Sequence, residues 1–195
     1  NAVFETSTRI ESTTLQLPEL VTWSQESLPS EELKRLFIGA QKVNLGEKDN
    51  TADKAILAAI VAAGLAGGAN PLPLSDGVVI APIQMSLAVN LAKIYGFTNL
   101  GSNIISLLQT QVVGLIGKQV AASMTKFIPV VGQLINAGVA SGITAAIGYG
   151  LQKIYREAYI AYLETGKEPN WALLFSQLDL ASLFNKYLPM MTNKS

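Results

Sequence analysis

At 195 residues the chain is long enough for one packed domain with a short accessory segment, and its formal net charge of zero gives no global attraction to nucleic acid. Charged residues make up 14% of it, well under the roughly 25% usual in soluble domains, so its apolar surface has to be covered by a core, a partner or lipid. Cys and His are both absent, which excludes disulfides, thiolate nucleophiles, zinc–thiolate sites and every Ser-His or Cys-His mechanism.

Strand signals are weak, because sustained period-two alternation is rare and Ala is abundant, whereas helix signals recur along the chain. Pro18–Ser27 reads as a short helix, with Leu20, Trp23 and the following Leu28 available to pack. Ser30 is an N-cap, Glu31 and Glu32 suit the first turn, and Leu33, Phe37, Ile38 and Gln41 carry that helix to about Val43. Asn50 or Thr51 caps the next, Asp53 falls in its first turn, and the Ala-rich run stops at Gly67 and Gly68.

Asn70–Pro73 is a non-helical connection, since Pro71 and Pro73 stand two residues apart. Ser75 or Asp76 caps a helix ending near Gly96, with Pro82 in its first turn or at a break. Thr98 starts another that reaches Gly114 or Gly117, and a further one from about Lys118 to Phe127 is cut by Pro129. After Gly132 comes the longest periodic segment, to about Thr165, closed by Gly166 and Pro169. Asn170 and Asp179 cap two terminal helices before Pro189. The expected fold is an all-α bundle of seven or eight helices with very apolar, Gly/Ala-rich central members. The expected division is a leader over 1–29 and a helical hydrophobic domain over 30–195. Asn1–Leu20 lacks the basic-then-apolar layout of a signal peptide, so the chain reads as a fragment or processed product of cytoplasmic origin.

Charge is unevenly spread. Asn1–Asp53 carries nine acids against five bases, whereas Gly77–Arg156 carries no acid and only Lys93, Lys118, Lys126, Lys153 and Arg156. Without carboxylates that stretch loses most general acid, base and metal chemistry, and its positive bias suits anionic headgroups better than DNA. Four charge-free stretches, Ala55–Ser75, Gly77–Ala92, Ile94–Gly117 and Phe127–Gln152, run for 21, 16, 24 and 26 residues. A membrane span needs about 20. Each stretch is broken by prolines or amides, among them Pro82 and Gln84 in the second and Asn136 in the last, so buried helix and membrane helix both stay open. Gly138, Gly142, Ala146 and Gly150 fall four apart, a spacing that lets helix backbones approach in lipid or in a dense soluble core.

Strings that imitate nucleotide motifs fail on their chemistry. Gly114 and Gly117 precede Lys118 at the wrong spacing for a phosphate loop, and Gln119 stands where Ser or Thr must hold magnesium. Asn185-Lys186-Tyr187-Leu188 lacks the Asp that reads guanine. Asp76 is an N-cap, a buried carboxylate paired with Lys93 or Lys126, or a polar site at membrane depth. Lys118 and Lys126, eight apart, are either solvated helix-end lysines or contacts to lipid phosphate. Tyr155, Tyr159 and Tyr162 form either a core stripe that ends at the surface or an interfacial aromatic belt.

Asn70–Gln84, NPLPLSDGVVIAPIQ, resembles the Pro-x-Pro-x-x-Asp…Pro-Ile-Gln signature of the YcjF-type helical domain, a family of unknown function. Lys126–Gly148, KFIPVVGQLINAGVASGITAAIG, looks like that family's second signature, and Glu31–Lys54 is similar to its usual start. The resemblance covers roughly Ser30–Glu164 and singles out Pro71, Pro73, Asp76, Pro82, Gln84, Pro129, Gly132, Gly138 and Gly142 as structural or docking positions. It implies a domain that follows an Era-like or dynamin-like GTPase domain and associates with membranes. Phe4–Ser27 is similar to the end of such a GTPase domain, whose phosphate-loop, magnesium and guanine motifs are missing from this sequence. No catalytic residue, metal or cofactor is carried over.

The expected function is therefore non-enzymatic: an accessory domain of a GTPase-type protein, cytoplasmic and peripheral or integral to the inner face of a membrane. Its expected partners are membrane lipids, a GTPase domain upstream or separate, and a second copy of itself. A soluble helix-mediated interaction module is the alternative. A pore-forming hairpin of Ile94–Gly117 and Phe127–Gln152 is the third reading.

Overall fold

The computed structural model describes residues 3–5, 16–42, 44–69, 77–97, 106, 110 and 132–192, and among them the chain is all-α, with seven helices and no strand. Helix α1, Leu17–Ser27, opens with proline in its first turn and buries Val21. Trp23 does not join the core as expected. It stays 45% exposed beside the Phe4 ring, because α1 packs chiefly on the short α2 and finds too little surface there to cover an indole.

Helix α2, Glu31–Ala40, is capped by the Ser30 hydroxyl, which accepts the Leu33 N–H at 3.2 Å. It stops short of Val43, itself outside the described residues, because Gln41 turns extended and closes on Asn44. The Gln41 amide accepts the Asn44 N–H and donates to the Asn44 carbonyl, both at 2.8 Å. Asn44 in turn starts α3, Leu45–Ala69, by accepting the Glu47 N–H at 3.2 Å. That cap lies earlier than the expected Asn50 or Thr51, and Asp53 falls in the third turn. Gly67 and Gly68 fall in the last turn of α3, which ends at Ala69. A methyl group on Gly64 would meet the Ser141 hydroxyl at 2.6 Å and one on Gly68 would meet Ala137 at 3.5 Å, so the far end of α3 is a close helix contact.

Helix α4, Gly77–Ile94, carries Pro82 at its sixth residue without a break, on the exposed side. It turns out through Gly96 at φ +86°, a conformation that favours glycine. The Asn70–Pro73 connection, the Ser75 and Asp76 caps, Pro129, Lys118 and Lys126 lie outside the described residues, as do the two helices expected between Thr98 and Phe127 except for Ser106 and Thr110, both helical. Helix α5, Gly132–Thr165, has the expected bounds and ends at Gly166 with φ +66°. Asn170 caps α6, Trp171–Ser176, and Asp179 caps α7 by accepting the Ser182 N–H at 3.0 Å. Helix α7, Leu180–Thr192, continues through Pro189 instead of ending before it.

Helix α5 is the axis of the bundle. Helix α3 runs antiparallel to it, with Asp53 level with Gln152, Ile56 with Gly148 and Gly68 with Ala137. Helix α4 runs parallel to α5, so that Gln84 meets Thr144 and Phe97 reaches Tyr155. Helix α7 packs on another face of α5, setting Leu183 against Gly150 and Leu188 against Gly142. The core that results is continuous from Ile38 through Ile56, Leu91 and Ile147 to Phe175 and Phe184.

The glycine spacing noted in the sequence thus serves protein–protein contact inside one chain. A Cβ on Gly142 would sit 3.3 Å from the Leu188 backbone and from the Phe184 ring, and one on Gly39 would sit 2.8 Å from the Lys93 carbonyl oxygen. Gly142→Leu and Gly39→Ala should each lower unfolding stability by about 1–3 kcal/mol in urea titrations. A wild-type midpoint for either would contradict the packing described.

Candidate functional site

Lys48 is a fully buried cation with three hydrogen-bond acceptors. It lies on the buried stripe of α3, four residues before Ala52 and eight before Ile56, and is itself 0% exposed. Its ammonium donates to the carbonyls of Ile38 at 2.6 Å, Ile94 at 2.9 Å and Gly39 at 3.0 Å, and stands 4.8 Å from the centre of the Tyr159 ring. Those carbonyls belong to the last turns of α2 and α4, whose acceptors have no partner within their own helices. A cation placed there also meets the negative ends of two helix dipoles. Burial pushes the ammonium down from 10.5 to about 8, while the three carbonyl acceptors favour its charged form.

A polar network surrounds that point. Tyr159 donates to the Gln41 carbonyl at 3.1 Å, and Tyr95 donates to Asp49 at 2.6 Å. Arg156 pairs with the other Asp49 oxygen at 3.0 Å, and Gln152 donates to Asp53 at 2.9 Å. Tyr155 and Tyr159 are buried and Tyr162 is half-buried, so the tyrosine series is the core stripe that ends at the surface. Burial raises Tyr95, Tyr155 and Tyr159 above their ordinary 10, with the Asp49 carboxylate adding to the effect on Tyr95. Beside the network, where α2 and α4 end against α5, opens a groove of about 910 Å³. Arg35, Lys42, Lys93, Tyr95, Phe97 and Tyr162 are among the residues that line it. Among the described residues no group of three His, Cys, Asp or Glu could hold a metal ion.

The second feature is the outer face of α3. Leu57, Val61 and Leu65, four residues apart, are 54%, 61% and 72% exposed, with Ala58 and Ala62 exposed between them. Leu45–Gly68 has a mean hydropathy of 1.3 and is the one helix among the described residues long and apolar enough to cross a membrane. Of its most apolar window only 28% is buried, unlike the core helix of a soluble protein.

Of the positions expected from the sequence, Gln84, Gly138 and Gly142 are all buried, and the fold uses two of them in helix contacts: Gly142 lies against Leu188 and Phe184, and the Gln84 amide donates to Thr144 at 3.3 Å. Pro82 is exposed and Gly132 begins α5. Pro71, Pro73, Asp76, Lys118, Lys126 and Pro129 lie outside the described residues. Sequence reasoning passed over Lys48 and the α3 face. The signal for Lys48 was its place on the 48, 52, 56, 60 stripe, and for the face the recurrence of Leu57, Val61 and Leu65 within the Ala-rich run.

Over 103 residues the chain is 31% identical to magnetosome membrane protein 22 of Magnetospirillum gryphiswaldense. The matched region is 51% of this chain and 53% of that protein, so the chain spans about half the length of the curated relative it matches. No family model matches the chain, and no solved structure matches it.

Lys48→Met should cost about 2–4 kcal/mol, because three buried carbonyls lose their donor; urea denaturation reads this directly. Alkali supplies a second check. Between pH 8 and 10.5 the unfolded chain holds a proton that folded Lys48 gives up, so the lysine's burial penalty eases across that window. Above pH 10 the sign reverses: folded tyrosines keep protons that unfolded ones release, and stability falls. The Tyr155 hydroxyl is buried with no partner among the described residues. Tyr155→Phe should therefore melt no lower than wild type at neutral pH and lose less stability above pH 10.

Proposed function

We propose that this chain is a non-catalytic helical domain that associates with a membrane through the outer face of α3. The observation that carries the reading is the exposed Leu57, Val61 and Leu65 series on a helix with no charge from Ala55 to Ala69. Water would solvate that face poorly, and three consecutive apolar turns make more than a scatter of single exposed side chains. The likeness to a protein whose name places it in a magnetosome membrane supports the same reading. The cytoplasmic leaflet is the side we favour, because its anionic lipids suit a segment, Gly77–Arg156, with five bases and no acid. The accessory place beside a GTPase domain draws its support from the resemblance of Asn70–Gln84 and Lys126–Gly148.

Flotation with phosphatidylglycerol-containing vesicles tests the proposal. The purified chain should rise with the vesicles at low salt, and Val61→Asp should weaken that partition about tenfold or more, given a cost of about 2.5–3.5 kcal/mol for a charge in the bilayer core. Because Val61 is largely exposed, the variant should melt at the wild-type temperature. A monodisperse chain that stays wholly in the soluble fraction would favour the soluble interaction module instead.

A further inference from the structure

Exposure along the α3 face is graded, not uniform. It climbs from 54% at Leu57 to 61% at Val61 and 72% at Leu65, while the same face carries Lys54 one turn and Asn50 two turns earlier, both exposed. Lys54 is the last charge before Ala69. The charge-free part is thus 15 residues, about 22 Å of helix. A hydrocarbon core is about 30 Å thick, so this segment falls short of crossing although the whole helix passes on length.

The opposite end of α3 is anchored in polar surroundings by Lys48, Asp49 and Asp53, whose partners are carbonyls, Tyr95, Arg156 and Gln152. Two polar side chains in the apolar half turn inward: Ser141 donates to the Ile60 carbonyl at 3.2 Å and Gln84 to Thr144. Helix α7 packs on another face of α5 and holds Lys186 exposed, a charge that resists the bilayer and marks that side as the wet one.

From this distribution we infer that α3 enters one leaflet obliquely, C-terminal half leading, with Lys54 stopped at the headgroup phosphates and the end of the bundle around Lys48 left in water. The inference rests on the membrane reading above and adds its geometry and lipid chemistry. The occupant of the α3 face is the acyl region of an anionic leaflet. A protein partner would not require the charge to stop at one level of the helix, whereas a phosphate plane above hydrocarbon does.

The absence of cysteine makes the test direct, since a single introduced thiol is a unique labelling site. Leu57→Cys, Val61→Cys and Leu65→Cys, each carrying an environment-sensitive fluorophore, are bound to phosphatidylglycerol vesicles with nitroxide quenchers at shallow or deep acyl positions. Leu36→Cys on α2 and Leu163→Cys near the end of α5, also exposed, serve as positions expected to stay in water. The expected result is a depth order of 65, then 61, then 57, spread over up to about 12 Å, with labels at 36 and 163 unquenched. Lys54→Gln should reduce partition about fivefold on anionic vesicles and leave zwitterionic vesicles unaffected. Equal depths at the three sites, a reversed order, or quenching at 36 or 163 in a protein that still floats would overturn the oblique geometry alone. A wild-type chain that does not float would remove the membrane reading and this inference together.

Discussion

Two helices of this bundle end against each other inside it, and the arrangement stands only because one lysine supplies what both ends lack. The last carbonyls of α2 and α4 have no helical N–H to accept, and the third wall, the Tyr159 ring, is apolar on its face. Lys48 answers with all three of its protons. The remaining features of that end follow. Gly39 has no side chain because the Lys93 carbonyl presses on it, and Gly96 takes a positive φ because α4 must turn away at once. Gln41 folds onto Asn44 so that the chain can leave α2 and enter α3 within a few residues.

The same constraint separates the molecule lengthwise. Charged and hydrogen-bonding side chains gather where Lys48, Asp49, Asp53 and Arg156 meet, and the described stretches of α3, α4 and α5 that point the other way carry no charge. Two polar groups of the apolar half, Ser141 and Gln84, are turned into helix contacts. A bundle built in this way offers water one end and offers an apolar environment the outer face of α3. The groove of about 910 Å³ belongs to the polar end.

How much of this was legible beforehand can be argued from single residues. Caps announced themselves where a short polar side chain precedes a periodic run: Ser30, Asn170 and Asp179 all accept the N–H three residues on. Glycine with positive φ closed α5 at Gly166 where the sequence placed its end. The start of α3 was misjudged because three Asx or Thr residues, Asn44, Asn50 and Thr51, compete for one cap, and local chemistry does not rank them. Gly68 looks like part of a stop in the sequence, and in the fold it is also a contact with Ala137, because a glycine's role depends on what approaches it. Pro82 and Pro189 failed as breakers for a related reason: each sits on an exposed side of a helix whose packing holds it together.

The sequence by itself determined the helical class, the absence of Cys and His and the long charge-free stretches, since these depend on composition and on patterns spanning a few residues. Only the tertiary structure decided which of two identical-looking apolar helices is buried. Helix α5 is covered by α3, α4 and α7, whereas among the described residues Leu57, Val61 and Leu65 of α3 stay exposed. Hydropathy counts methyl groups without regard to what stands opposite them, so it cannot distinguish these cases. Lys48 makes the same point from the polar side. Its burial is fixed by carbonyls ten and forty-six residues away, acceptors that meet only when the chain has folded.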